Sequence, residues 1–408
     1  MTIKASAQQR VGSTPGLSRT QLALSSALSP FAMVVVAPLL PMIGRGYEVD
    51  PAATQYVVSV FLFGLFAAQL VLGPLSDRIG RRTILLGSLA IYIVMSILCA
   101  LAPSFQLLVA ARFFQACGAA GTSTVVRAMV HDVHRGDTAA RYMAFIAVGH
   151  SIAHTLSPTI GGLIGDAVGI GGTFIMLAVL GVAMLAWAIF RMPETRAELT
   201  GPPPDAGRIL RDSLRVLRDP LFFAYSAVYG LTGAGFFAFL AIAPAYFDSE
   251  FGVSGAAFGF YWSYMSVAFL IAAMSGGRLV ARIGRRAVFN WCLGLCAGLG
   301  ALLPEIVLFW GASPATIVAP MVLLSGILGV TSPLSLSGAI ASQPNLAGTA
   351  SGLCGSLAMA YSGVFTILAG VIYDGTVTTL VLPMTAAMVL MAACAIAIAK
   401  LEPRTGAG

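Results

Sequence analysis

Charge is what this sequence has least of. Only 10% of its 408 residues are Asp, Glu, Lys or Arg, against 58% that are hydrophobic, where a typical soluble domain is about 25% charged. A mean hydropathy of +0.89 agrees, and together these values exclude a water-soluble globular chain. A long polar domain is missing too. The longest polar stretch, "RMPETRAELTGPPPDAGRILRDSLRVLRDP" from Arg191 to Pro220, is only a linker, which disfavours a receptor with a soluble output domain. Catalytic patterns are absent as well: there is no H-E-x-x-H, no G-x-S-x-G and no pair of membrane aspartates. Hydrolysis inside a bilayer needs a nucleophile beside a base or a metal, so a membrane enzyme or receptor stands only as the non-transporter alternative. The six cysteines, Cys99, Cys117, Cys292, Cys296, Cys354 and Cys394, are scattered through apolar runs without neighbouring His or acid. They read as small packing residues, with no disulfide, metal or cofactor expected. Histidine is scarcer still, with four in all: His131, His134, His150 and His154.

Apolar runs are what the sequence has in plenty. Runs of about 20 residues, enough to cross a bilayer, start near Leu22, Ala53, Arg82, Phe105, Thr138, Gly171, Leu221, Gly255, Arg285, Ala315, Ala347 and Thr379. They predict twelve transmembrane helices and an all-α integral membrane protein, because a backbone in lipid must satisfy its own hydrogen bonds and no run alternates as a membrane barrel strand would. The net charge of +7 reports topology rather than a nucleic-acid partner. With the N-terminus inside, Lys4, Arg10, Arg19, Arg78, Arg81, Arg82, Arg127, Arg135, Arg141, the run from Arg191 to Arg218, Arg278, Arg282, Arg285, Arg286, Lys400 and Arg404 all face the cytoplasm. Arg45 falls in an outside loop and Arg112 within a helix. This positive-inside pattern predicts a multi-pass protein of the inner (plasma) membrane with both termini cytoplasmic. The polar start "MTIKASAQQRVGSTPGLSRT" does not read as a cleavable signal peptide.

The polar stretch after Arg191 divides the runs into two sets of six. The expected organisation is a cytoplasmic tail over 1–20, a six-helix bundle over 21–191, a cytoplasmic linker over 192–219, a second bundle over 220–401 and a tail over 402–408. Within the linker, Ile209, Leu210, Leu214 and Leu217 share one face with arginines opposite, as in an amphipathic helix lying on the membrane surface. The halves echo each other: "GPLSDRIGRR" at Gly73 and "GRLVARIGRR" at Gly277 are offset by 277 − 73 = 204 residues, half the chain. Such a repeat is the trace of a two-bundle transporter with a central site.

Gly73, Asp77, Arg78, Gly80, Arg81 and Arg82 resemble the signature loop of the major facilitator superfamily. "RFFQACGAAGTSTVVRAMVHD", with Arg112, Gln115 and Gly118, resembles the fourth-helix signature of its drug:proton antiporter family with 12 helices. "SPTIGG", with Pro158, Gly161 and Gly162, resembles that family's fifth-helix antiporter motif, and "APAYFDSEFGVSGAAFG" and "NLAGTASGLCG" look like its Bcr/CflA branch. The resemblance implies the major facilitator fold, alternating access, and a gating role for the Gly73–Arg82 loop, with Asp77 latching the bundles together inside. Ala281 stands where the second half would repeat Asp77, so the latch should act on one side only. The resemblance also implies a part in proton coupling for Arg112. A charge at membrane depth costs at least about 2.5 kcal/mol, so Arg112 is expected to face the cavity with Gln115 one turn deeper, snorkelling to the surface being the alternative.

The branch often carries a proton-accepting carboxylate in helix one within D-x-x-x-P-x-x-P, but here the segment reads "VVVAPLLP", with Val34 in the acid's place before Pro38 and Pro41. Glu48, Asp50, Asp132, Asp137, Asp166, Glu305 and Asp374 all fall near helix ends, leaving the central membrane almost free of carboxylates. His150 and His154, four residues apart on one face of helix five, bracket the membrane centre, and an ordinary imidazole pKa of about 6.5 suits a proton carrier. The competing reading has each ring bonded to a backbone carbonyl between packed helices. His131 and His134, at the inner end of helix four, read as solvated rather than as a metal site. The expected cavity lining adds Tyr225, Tyr229, Phe236 and Phe239 from helix seven and Tyr261, Trp262 and Tyr264 from helix eight, suited to a flat or amphipathic molecule. The resulting expectation is a monomeric exporter of amphipathic small molecules or drugs, with protons as coupling ion and the lipid bilayer as its other partner. A dedicated exporter of an endogenous metabolite, such as a siderophore or amino-acid derivative, is the alternative, and it need not be proton-coupled.

Overall fold

Glycine and proline decide where the helices stop. The computed structural model describes residues 18–134, 136–195 and 206–401. Its α-helices are α1 (Arg19–Val34), α2 (Leu40–Tyr47), α3 (Pro51–Thr54), α4 (Tyr56–Ile79), α5 (Arg81–Ala100), α6 (Phe105–Val133), α7 (Gly136–Arg191), α8 (Ala206–Leu217), α9 (Pro220–Phe251), α10 (Gly255–Ile283), α11 (Arg285–Trp310), α12 (Pro314–Ala341), α13 (Ala347–Ile372) and α14 (Val377–Leu401). α1 and α2 form one span with a break. Pro38 cannot donate to the carbonyl of Val34, nor Pro41 to that of Ala37, and the chain crosses the gap in a single 3-10 turn over Ala37–Leu39.

Ten helical segments are long and apolar enough to cross a membrane. One of them lies in α7, whose 56 residues are two helices joined at a turn at Gly169, where φ is 77° and ψ −176°, a conformation open to glycine almost alone. α7 therefore supplies the fifth and sixth spans. α6 is not among the ten, because its Gly, Ser, Thr and Gln residues dilute its hydropathy, but its 29 residues reach about 44 Å and make it the fourth span. Among the described residues the spans therefore number twelve, starting within three residues of the positions expected from sequence. The short α3 precedes the second span, and α8 follows the sixth. On α8, Val216 is buried while Leu210 and Leu214 stay exposed. Arg208 and Ile209 lie among residues whose side chains are outside the description, as do the tails over 1–17 and 402–408.

The first six spans pack mainly with one another and the last six likewise. Across the divide, α7 meets α10 and α4 meets α13. Arg78, Arg81, Arg82, Arg282, Arg285 and Arg286 lie on one side of the molecule, called the basic side below. On the far side the bundles touch through small residues. A Cβ on Gly162 would fall inside the backbone of Gly255, and one on Gly370 would overlap Gln55. Arg45, in α2 rather than in a loop, is ion-paired with Asp248, and Asp166 Oδ2 accepts from Ala256 N at 3.2 Å. Contact continues to mid-depth: Ser263 Oγ donates to the Thr155 carbonyl at 2.9 Å, and Trp262 Nε1 donates to the His154 carbonyl at 3.3 Å. Toward the basic side, Gly73, Gly277, Gly352 and Gly355 would meet nothing within 4 Å of an added Cβ. The contacts between the bundles named above thus gather on the far side and at mid-depth.

This geometry predicts that Gly162→Ala wedges the far side open. Spin labels at the exposed far-side positions Ala167 and Ser249 should show a distance distribution shifted to longer values than the same labels on the parent chain; an unshifted distribution would contradict the close-approach account.

Candidate functional site

Between the bundles, at mid-depth, lies a cavity of about 350 Å³. Its wall is drawn from α1 (Pro30, Met33), α7 (His150, Ser151, His154, Thr155), α9 (Tyr229, Thr232, Gly233, Phe236, Phe237), α10 (Trp262, Met265, Ser266, Phe269, Leu270), α12 (Ser332) and α13 (Ala358, Met359, Ser362). None of these residues carries a fixed charge. Polarity comes from hydroxyls and imidazoles, and several hydroxyls are already engaged: Thr232 Oγ1 donates to the Tyr229 carbonyl at 2.6 Å, and Ser362 Oγ to that of Ala358 at 2.8 Å.

One flank is aromatic. The His154 ring lies 6.1 Å from that of Phe237 at an interplanar angle of 83° and 5.7 Å from that of Trp262, while Phe236 meets Trp262 edge-on at 5.9 Å. Edge-to-face pairs of this kind hold rings in fixed orientations, leaving faces that can receive a flat guest. The Trp262 bond to the His154 carbonyl also ties the fifth span to the eighth at the cavity wall. His150 differs from His154: its Nε2 is buried with no hydrogen-bond partner, although burial of a polar atom normally demands one.

Of the residues expected to line the cavity, His150, His154, Tyr229, Phe236 and Trp262 do so. Tyr225 and Phe239 are buried elsewhere on α9. Tyr225 packs on Phe289 at 5.5 Å and lies under the Arg285 guanidinium at 5.7 Å. Tyr261 and Tyr264 border a separate groove with Pro314 and Val318. The physical reason is rotation about the helix axis. The lining of α9 follows 229, 232, 233, 236 and 237, and that of α10 follows 262, 265, 266, 269 and 270. These are single stripes at helical spacing, and Phe239, Tyr261 and Tyr264 fall off them. The same stripes would have found Thr232, Ser266 and Phe269, which the sequence reading did not name.

Arg112 and Gln115 also stand apart from the cavity. Both are fully buried inside the first bundle. Arg112 Nη1 donates to Gln115 Oε1 at 2.6 Å and to the Ala32 carbonyl at 3.3 Å, its Nε donates to the Val57 carbonyl at 3.4 Å, and its guanidinium lies 4.1 Å from the centre of the Phe61 ring. Gln115 Nε2 passes the chain on to Ser96 Oγ at 2.7 Å. With no carboxylate near, backbone carbonyls and a ring face stand in for a counter-ion, and Ala32 lies just before the break in the first span. Val34, in the place of the usual acid, is fully buried. Glu305 is exposed on α11, and Asp374 sits in an exposed turn where the hydroxyls of Thr379 and Thr376 hold its carboxyl down at about 2. Neither lines the cavity.

The signature loop forms a tight cluster on the basic side of the first bundle. Arg81 Nη2 lies 2.7 Å from Asp77 Oδ1, its Nε donates to Asp132 Oδ2 at 2.9 Å, and its Nη1 donates to Ser76 Oγ at 2.6 Å. The N-terminus of α5 is capped by a residue the sequence reading did not single out: Glu194 accepts from the backbone N–H groups of Arg81 and Arg82, both at 3.0 Å. Arg82 returns the favour at the end of α7, donating to the carbonyls of Ile189 at 2.7 Å and Met192 at 2.9 Å. Gly80, with φ 107°, makes the turn between α4 and α5 possible. In the helix-five motif, Gly161 abuts the Val35 carbonyl and Gly162 abuts Gly255, while Pro158 and Thr159 back onto Gly259. That motif therefore joins the first, fifth and eighth spans.

A family model described as Major Facilitator Superfamily matches residues 22–367. The chain is 30% identical over 344 residues to a chloramphenicol resistance protein of Pseudomonas aeruginosa, covering 82% of this chain and 79% of that one. It is 28% identical over 387 residues to multidrug resistance protein D of Escherichia coli K12, covering 91% and 93%. Among solved structures, a bacterial homologue of the human lysosomal transporter Spinster, captured in an inward-facing and occupied conformation, superposes with a TM-score of 0.75 at 15% identity over 95% of this chain and 97% of that one.

Two outcomes are expected. Arg112→Leu strands Gln115 and two buried carbonyls and should lower stability by about 2 kcal/mol, seen as an earlier thermal transition of the purified protein. Glu194→Ala uncaps α5 and should cost about 1 kcal/mol in the same measurement, with an unchanged melting curve refuting the cap.

Proposed function

We propose that this chain, which belongs to the Major Facilitator Superfamily and is a membrane transporter rather than an enzyme, exports aromatic, amphipathic small molecules of the drug type by alternating access. The observation that supports the cargo class is the cavity wall, aromatic on one flank, hydroxylated elsewhere and without a fixed charge. A pocket of that chemistry recognises flat rings by stacking and a few hydrogen bonds, and it gives a permanent cation no counter-charge. Relatives named for chloramphenicol and multidrug resistance agree with such a cargo.

In this reading the basic side is cytoplasmic, in keeping with the concentration of positive charge there, and the membrane is the inner one. The arrangement then corresponds to an inward-facing state: cargo enters between the parted halves on the basic side, while Gly162, Gly370 and the Arg45–Asp248 pair seal the far side. Transport exchanges the two closures. The Asp77–Arg81–Asp132 cluster keeps the turn between α4 and α5 rigid, so that it can meet the second bundle when the basic side shuts. Proton coupling, if this exporter has it, falls to the imidazoles. His150, His154 and Tyr229 are the titratable groups in the wall, and an ordinary histidine titrates across the range of a cell's proton gradient. Cargo and proton then compete for the same end of the cavity, which is the requirement for antiport. A dedicated metabolite exporter would share this machinery and differ in its cargo.

The test is transport by the purified chain in liposomes. An inward-to-outward pH difference should drive uptake of a neutral aromatic drug such as chloramphenicol against its gradient, and Trp262→Ala should reduce it about tenfold. Replacing both His150 and His154 by Gln should abolish the pH dependence while downhill exchange of cargo persists. A pH profile untouched by the double replacement would remove the histidines from coupling, and absence of cargo movement under every imposed gradient would remove the exporter reading.

A further inference from the structure

The fourth span carries two arginines, and their surroundings are opposite. Arg112 and Arg127 are 15 residues apart on α6, about 22 Å along its axis. Sequence alone put Arg127 on the basic side with the other positive residues, and the structure places it about 9 Å before the end of α6 at Val133. Arg112 is sealed in with a glutamine, carbonyls and a ring face around it. Arg127 is only partly buried, and its one hydrogen bond among the described residues runs from Nε to the carbonyl of Ser123 in its own helix, at 3.1 Å. Among the described residues no carboxylate is paired with its charge.

Its neighbours belong to the cavity wall, of which Arg127 itself is not a part. Arg127 is near enough to interact electrostatically with His150 and with Tyr229, both of which line the wall. His150 Nε2 is buried without a partner, and so is the hydroxyl of Thr124, one turn from Arg127 on α6. Two unpaired polar atoms and an uncompensated cation therefore gather on the α6–α7 side of the cavity, while the aromatic faces lie about Trp262. We infer that this edge is an anion subsite, and that the cavity prefers aromatic molecules bearing a single carboxylate or comparable acidic group over their neutral counterparts. The carboxylate would be met by the Arg127 guanidinium and by the hydroxyls of Tyr229 and Thr124, with the ring on the aromatic flank. Bound there, it supplies the counter-charge that the protein itself omits, and charge-assisted hydrogen bonds are the stronger kind. The groups facing His150 from other elements are Arg127 on α6, Tyr229 on α9 and the backbone of Ser26 on α1, to which its ring is hydrogen-bonded, with His154 one turn along α7 itself; none is acidic, so nothing in the wall competes for the anion.

This inference rests on the central cavity being the cargo site, and the experiment separates the two claims. The full chain in lipid nanodiscs is titrated at pH 7.5 with 1-naphthaleneacetate and with 1-naphthaleneacetamide, which share a ring and differ in charge. The expected result is a preference for the acid of about tenfold that falls to about one in Arg127→Gln and is largely kept in Arg127→Lys. Equal affinity for acid and amide, or a preference that survives Arg127→Gln, overturns the anion subsite and leaves the aromatic-cargo reading standing. Loss of amide and acid binding together in Arg127→Gln, with an earlier melting transition, also overturns it by assigning Arg127 a structural part. Failure of the parent chain to bind either compound overturns both claims.

Discussion

An uncompensated charge in a bilayer costs several kcal/mol, and the architecture is arranged around that penalty. Apart from Arg45, paired with Asp248 on the far side, and the enclosed Arg112, the positive residues of the described chain lie toward the basic side of the twelve spans. Where an arginine is retained deep inside, as at Arg112, the first bundle closes round it with Gln115, the Ala32 and Val57 carbonyls and the Phe61 ring. That cluster links α1, α4 and α6 just below the break at Pro38 and Pro41, so the interaction that neutralises a charge also holds the first bundle together. The cavity obeys the same constraint by having no fixed charge in its wall, and in the proposed anion subsite Arg127 is the cation left for a ligand to meet.

The internal repeat shows how one motif can be stabilised by two kinds of interaction. Arg81 and Arg285 occupy the same place, 204 residues apart, at the first position of α5 and α11. Arg81 is held by Asp77 and Asp132, whereas Arg285, with Ala281 where the acid would be, lies over the Tyr225 ring. A charge cluster is rigid and directional, while a cation over a ring tolerates sliding. The first half thus has a stiff basic-side corner and the second a softer one. Tyr225 belongs to this corner rather than to the cavity.

The number of spans, their order and the division into halves were legible in the sequence, because each depends on local features: runs of apolar residues, charges at their ends, and Gly or Pro at the turns. The kink at Gly169 and the broken first span follow from the same local chemistry. The site was legible only in part. His150 and His154 stood out because imidazoles are rare in such runs, and Tyr229, Phe236 and Trp262 because they are large. Phe239, Tyr261 and Tyr264 were just as large, and their rotation about the helix axis sends them elsewhere, while Tyr225 shares the lining face of α9 but lies one turn beyond the cavity, against Phe289 and Arg285. Glu194 gave no signal, since an acid in a linker is ordinary until it is seen to cap a helix more than a hundred residues earlier.

The sequence by itself determined that this is a twelve-span, two-half membrane protein with its positive charge on one side, because hydropathy, helix length and charge placement are properties of consecutive residues. The tertiary structure alone decided that Arg112 is enclosed, that Arg127 of α6 lies near His150 and Tyr229, and that the far side is shut by Gly162 against Gly255. Those outcomes depend on which faces of separate helices meet, and so on distances between residues that the chain keeps far apart.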